Sequence, residues 1–215
     1  MTNKNKFVYS FMPTGMVQTN CTIIGNLELK TYILCDVGGD AEKVVEKAKK
    51  MGLTKCVGVF FTHGHFDHVV GSTEIKRITE APLIINEKDV EMYYDMKKQQ
   101  NFFGIKIEKV ATIDRTVKDR NVIDGIGTCA LVIHTPGHSP GSSCLYFEEL
   151  DLLIAGDTLF RESYGKTEMW GYDFAKLKNS ITEILFKLPG KTTVVTGHGS
   201  STTIAFEKVS NSIMF

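Results

Sequence analysis

The stretch Thr62-His63-Gly64-His65-Phe66-Asp67-His68 places three imidazoles and a carboxylate within six consecutive positions. Burying such groups together without a cation leaves several polar atoms unpaired, so the cluster reads as a metal site and not as an ordinary turn. The apolar run Cys56-Val57-Gly58-Val59-Phe60-Phe61 predicts a buried strand just before it, which sets the ligands where that strand gives way to a loop. Gly64 permits the sharp turn this needs. His63 and His65, two positions apart, point the same way in extended chain, whereas Asp67 and His68 fall at the start of the next helix and aim at a neighbouring point. That arrangement suits two metal ions better than one.

At 215 residues and 24.0 kDa the chain is long enough for one well-buried core, and a single domain over 1–215 is expected. The 25 basic and 25 acidic side chains cancel, so no global charge draws the molecule to nucleic acid or to an anionic membrane, and neither partner is expected. Met1–Phe11 lacks the apolar core of a secretory signal, and no later apolar run approaches the roughly 20 residues that span a bilayer. The expected location is the cytoplasm. Cys21, Cys35, Cys56, Cys129 and Cys144 stand singly, without Cys-x-x-Cys spacing, and read as free buried thiols of a reducing compartment.

Along the chain, Met16–Ile24 and Leu29–Leu34 read as strands joined at Gly25-Asn26. Asp36-Val37-Gly38-Gly39-Asp40 turns into a helix over Ala41–Met51, stopped by Gly52. Val69–Thr79 predicts a helix and Leu83–Ile85 a strand. Glu87–Gln100 is polar and helical, with Met92, Tyr93, Tyr94 and Met96 packing on the body. From Ile105 to Ile133 the pattern is strand-like, and Cys144–Phe147 and Leu152–Ala155 are short strands. A helix over Asp173–Leu188, a strand over Thr193–Thr196 and a helix over Thr203–Ser210, capped from the hydroxyls of Ser200 to Thr203, close the chain. Helices and strands alternate in each half, so a mixed α/β, two-sheet sandwich covered by helices fits better than an all-parallel doubly wound sheet.

Two further histidines sit beside glycines at strand ends, in Gly137-His138-Ser139 and Gly197-His198-Gly199, where ligands belong. Asp157 follows an apolar strand and offers a carboxylate able to bridge two cations. Four motifs in order, His63-x-His65-x-Asp67-His68, Thr135-Pro136-Gly137-His138-Ser139-Pro140-Gly141, Gly156-Asp157-Thr158-Leu159-Phe160 and Thr196-Gly197-His198-Gly199, make the chain resemble the metallo-β-lactamase-fold hydrolases of the glyoxalase II-like group. Asp36-Val37-Gly38-Gly39 is similar to that family's early acidic turn. The resemblance implies a four-layer αβ/βα sandwich with the metals at one edge. It implies that His63, His65 and His138 hold one metal, that Asp67, His68 and His198 hold the second, and that Asp157 bridges them, with Asp67 and Asp157 as the catalytic carboxylates.

Nitrogen and carboxylate donors without cysteine suit zinc, with iron or manganese also fitting. The implied chemistry is a metal-bound hydroxide attacking a thioester or activated ester of a small acidic substrate, a hydroxyacyl-glutathione foremost. Full-length glyoxalase II enzymes carry a helical carboxy-terminal domain that helps bind glutathione; this chain stops at Phe215, so weak dependence on glutathione is expected. Lys166 and Tyr164, in Tyr164-Gly165-Lys166-Thr167-Glu168, are candidate substrate contacts and with Trp170 are candidates to line the substrate entrance, an exposed loop lysine and packing aromatics being the plainer readings. Asp36 is expected to orient a ligand without touching metal, and His134 to play a hydrogen-bonded structural part. The alternative is a persulfide dioxygenase-like oxidoreductase of the same fold, using a single iron held by two histidines and one aspartate. The presence of Asp67, His68 and His198 as a second set argues against it.

Overall fold

The computed structural model describes residues 6–215. The first half of the chain builds a six-stranded sheet in sequence order: β1 (Phe7–Thr14), β2 (Thr19–Asn26), β3 (Thr31–Cys35), β4 (Lys55–Phe61), β5 (Leu83–Asn86) and β6 (Arg115–Val117). β1 to β3 are an antiparallel meander, while β3 to β6 run parallel. Each parallel step needs a crossover. α1 (Ala41–Lys50) makes the first, α2 (Phe66–Val69) and α3 (Ser72–Thr79) the second, and α4 (Val90–Tyr94) with α5 (Met96–Phe103) the third.

The second half supplies β7 (Val122–Ile123), β8 (Ala130–His134), β9 (Ser143–Phe147), β10 (Leu152–Gly156), the small hairpin β11 (Leu159–Phe160) and β12 (Ser163–Tyr164), α6 (Phe174–Asn179), β13 (Thr193–Thr196), β14 (Thr202–Thr203) and α7 (Ile204–Ser210). Its sheet has the spatial order β14-β13-β10-β9-β8-β7.

Alternation along the strands divides the apolar residues between faces. Ile24, Ile33, Phe60 and Ile84 of the first sheet meet Val132, Leu145, Phe147, Ile154 and Val195 of the second in a central core. Their neighbours Ile23, Leu34, Val59 and Leu83 turn outward beneath Val44 and Ala48 of α1 and Ile75 of α3. Leu153, Ala155 and Val194 turn outward beneath Leu177 of α6 and Ile204 of α7. The result is the helix, sheet, sheet, helix layering expected of the sequence.

Several elements differ from the sequence reading. β1 was not anticipated, and Met16 lies in the turn between β1 and β2 instead of in a strand. The helix expected over Val69–Thr79 is broken at Gly71, whose N–H donates to Val37 O at 2.9 Å. The stretch 105–114 has no regular structure: Ile105 N donates to Gln100 O and Ala111 N to Ser72 Oγ, and at Asp114 the main-chain N–H reaches a strand, at Leu83 O. The helix after Asp173 loosens into a π turn at Ser180–Ile184. Cys129 is exposed, the other cysteines being buried and free. Among the described residues no helix is long and apolar enough to cross a membrane.

Candidate metal centre

Five loops meet at one edge of the sandwich, and each leaves the carboxyl end of a strand. Asp36 follows β3, His63 to His68 follow β4, His138 follows β8, Asp157 follows β10 and His198 follows β13. β10 and β13 are parallel, and β8 shares their direction because it and β10 both pair antiparallel with β9. Strand ends of this kind are where open α/β sheets bind ligands. Cross-sheet bonds lock the edge: Asn20 N donates to Gly197 O at 2.7 Å, Asn20 Nδ2 to Thr196 O and Gly199 O at 2.9 Å each, and Ser143 N to Thr62 O at 2.9 Å.

The fold brings all seven sequence-predicted ligands together. His65 Nδ1 lies 3.0 Å from His63 Nε2 and 2.9 Å from His138 Nε2, so three ring nitrogens converge on one point. A second convergence joins Asp67, His68 and His198, with His198 Nε2 3.2 Å from Asp67 Oδ2. Asp157 stands between the two. Its Oδ1 is 3.3 Å from His68 Nε2, and its Oδ2 is 3.5 Å from His138 Nε2 and 3.7 Å from His198 Nε2. His63 is 1% exposed, whereas the His198 side chain is 27% exposed, so solvent approaches from the Asp67 and His198 side.

The rings are oriented from behind. His138 Nδ1 donates to Gly165 O at 3.1 Å and His68 Nδ1 to Asp36 Oδ2 at 2.9 Å, which turns both Nε2 atoms toward the centre. Thr62 Oγ1 donates to Asp36 Oδ2 at 2.7 Å and therefore accepts from His63 Nδ1 at 3.1 Å. Asp36 also accepts from Thr62 N at 2.8 Å, and it holds a left-handed backbone with φ 57° to do so. Gly165 and Gly197 allow the backbone to come this close: a Cβ on the first would strike Asp157 O and His138 Nδ1, and on the second Asp157 Oδ1.

Burial, aided by neighbouring imidazoles, holds His63 well below the usual histidine range and pushes His65 down to about 3, so both present neutral nitrogens. Burial also works against charge on His68, but Asp157, Asp67 and Asp36 outweigh it and hold that ring above its ordinary value. His198 is raised in the same way by Asp67 and Asp157. Asp67 and Asp157 stay ionised despite burial, chiefly through His68. The carboxylates thus collect positive charge at this point. His68 Nε2 and Asp157 Oδ1 are buried without a hydrogen-bond partner, an uncommon state for polar atoms and one that a divalent cation between them would relieve. The donor set fits metal.

Sequence reasoning overlooked the residues that tie the ligand loops together. Asp89, fully buried, accepts from Gly64 N at 2.8 Å, Ser139 Oγ at 2.6 Å and Gly141 N at 2.5 Å, linking the His63–His65 loop to the His138 loop. Gln99 accepts from Phe66 N at 2.7 Å and donates to Gly64 O at 2.8 Å. His134 lies outside the cluster, its Nε2 donating to Pro140 O at 2.9 Å. Lys166 is exposed, its ammonium 4.8 Å from the centre of the Tyr164 ring, and that ring packs at 5.6 Å on Phe174. Trp170 receives the Lys98 ammonium at 3.9 Å.

The family model described as Metallo-beta-lactamase superfamily matches residues 14–198. The hydroxyacylglutathione hydrolase GloC of Haemophilus influenzae is 31% identical, over 93% of this chain and 94% of its own. Among solved structures, the BLEG-1 B3 metallo-beta-lactamase superposes with a TM-score of 0.89 at 31% identity, covering 96% of this chain and 99% of that one. TTHA1623, solved in a di-iron-bound form, superposes with a TM-score of 0.84 at 29% identity, covering 94% and 98%.

Proposed function

The chain belongs to the metallo-beta-lactamase superfamily, and from that premise we propose that it is a dinuclear metal hydrolase of thioesters or related activated esters, with a hydroxyacyl-glutathione as the leading substrate. The observation that carries this reading is the double cradle, in which Asp157 reaches toward both His68 and His138. Similarity to GloC supports the thioester class, and similarity to di-iron TTHA1623 supports two ions, with iron and manganese beside zinc as candidates. Such ions, when bound, supply a water nucleophile at neutral pH and polarise a carbonyl.

The chain's own residues do the rest. His63, His65 and His138 form one set of nitrogen donors; Asp36 orients the His68 ring so that its Nε2 can join Asp67 and His198 in the other. Asp67, which accepts from Thr19 Oγ1 at 3.2 Å, and Asp157 are the carboxylates closest to the reacting atoms. In the overall reaction a water oxygen bonds to the acyl carbon, the carbon–sulfur bond breaks and the thiol leaves protonated. Lys166, with Tyr164 beneath it, offers a cation to an anionic group on the substrate.

Likeness to the BLEG-1 lactamase favours one second reading, opening of a β-lactam ring by the same addition to a carbonyl. The test is metal analysis and anomalous scattering on protein purified without added metal, beside an activity panel of a hydroxyacyl-glutathione, a β-lactam and a persulfide. Two ions per chain with thioester turnover is the expected result. Full activity on the persulfide with one iron, and Asp67, His68 and His198 free of metal, would overturn it.

A further inference from the structure

A cavity of about 120 Å³ opens beside Asp67, and its wall is apolar: Phe66, Val70, Ile105, Ile107 and Met16. Asp67 belongs both to this wall and to the cluster of candidate ligands, so the cavity and the centre share that residue. The walls are fixed. Phe66 N is held by Gln99 and its ring packs at 5.0 Å on Phe103. Ile107 N donates to Gln100 Oε1 at 3.2 Å, which pins the irregular segment after α5. Met16, 73% exposed in the β1–β2 turn, contributes an adaptable thioether. Besides Asp67, the polar side chain in the lining is Lys106, which is exposed and lies 3.3 Å from Glu108.

We propose that this cavity is an acyl pocket, making the centre selective for thioesters of short apolar acids. The inference rests on the thioester reading given above and departs from it in the acyl group, favouring an apolar chain over a hydroxyacyl one. A cavity of about 150 Å³ lined by Leu, Ile and Phe takes up benzene, so the smaller space here fits an aliphatic group of about four carbons beyond the carbonyl. Away from Asp67 the apolar walls offer the hydroxyl of a hydroxyacyl group no partner, whereas a pentanoyl chain gains burial at each methylene.

The test uses the metal-loaded protein and acyl thioesters of N-acetylcysteamine from acetyl to decanoyl, with the binding of the free acids measured in parallel by calorimetry. Burial of each methylene predicts a rise in kcat/KM, and a matching fall in Kd of the acid, of about fourfold up to pentanoyl and none beyond. Ile105→Trp, which fills the cavity, should move the maximum to acetyl or propionyl; Ile105→Ala should move it to longer chains. Thioester turnover that is indifferent to chain length, in the natural protein and both variants, overturns the pocket and leaves the thioester reading intact. Chain-length-dependent binding of the acids, shifted by the Ile105 variants but with no thioester hydrolysed, keeps the pocket and overturns the thioester reading. Neither response overturns both.

Discussion

Replacing Asp89 by asparagine tests whether the ligand loops are held by a buried carboxylate. The shape is kept, but one acceptor oxygen becomes a donor amide. Facing one way, the amide meets Gly141 N–H; facing the other, it meets Gly64 N–H and the Ser139 hydroxyl, which can rotate to accept. Either way one buried backbone N–H loses its partner. Hydrogen bonds to a charged acceptor are worth about 1.5–3 kcal/mol, and a stranded buried donor costs about 1–3 kcal/mol. Burial, opposed by its three donors, still holds the Asp89 carboxyl above the usual carboxylate range, so the neutral amide recovers part of the loss. A net destabilisation of about 2–4 kcal/mol follows. Because the carboxylate joins the loop of His63 and His65 to that of His138, metal affinity should also fall, by about 10- to 100-fold, the range typical of residues that orient ligands. Urea denaturation of metal-free protein reads the first effect, and competition with a chromogenic chelator reads the second. A variant within about 0.5 kcal/mol of the natural protein and with unchanged metal affinity would refute the reasoning.

Two further predictions follow from the same geometry. Asp157→Asn should lower metal content and turnover together, because a neutral amide spans two cations poorly; elemental analysis beside kcat checks it, and an unchanged pair of values would show that Asp157 is not the bridge. Burial works against ionisation of Asp114, but hydrogen bonds from Leu83 N at 2.8 Å and Lys76 Nζ at 2.7 Å outweigh it and hold the carboxyl below its usual range. A folded-state value depressed in this way contributes stability above the unfolded value of about 3.9, and the contribution is lost as pH falls through the folded value. Asp114→Asn should therefore trail the natural protein most near neutrality, with the gap closing in acid; a gap that is constant from pH 7 to pH 3 in urea titrations would count against this.

What the sequence displayed, and what it hid, divides by distance along the chain. His63, His65, Asp67 and His68 declare themselves as candidate ligands because donors on one loop are close in sequence, and buried strands such as β4 and β10 declare themselves by unbroken apolar runs. His138 and His198 were legible only through their glycines and their order behind the cluster. Asp89 and Gln99 lie 25 and 35 residues from the Gly64 they hold, inside a polar stretch whose composition is that of a solvated helix. Nothing local marks them as buried. Asn20 reaches 176 residues to Thr196 and is likewise indistinguishable from a turn asparagine.

The irregular segment after α5 departs from its strand-like pattern for a related reason. Ile105, Ile107 and Ile113 alternate with charged and polar residues as a half-buried strand does, yet the segment's main chain is satisfied by Gln100, by Ser72 and, at Ile113 N, by the Tyr94 hydroxyl at 2.9 Å. Period-two alternation reports which side chains face the body; it does not report whether a neighbouring strand is there to pair. Here the alternating face covers α3 to α5 and helps wall the cavity beside Asp67. A stretch whose backbone is held by side chains instead of by a sheet ladder can change its isoleucines without disturbing the strands that carry the ligands. On the acyl-pocket proposal, selectivity is thereby separated, physically, from the chemistry of the centre.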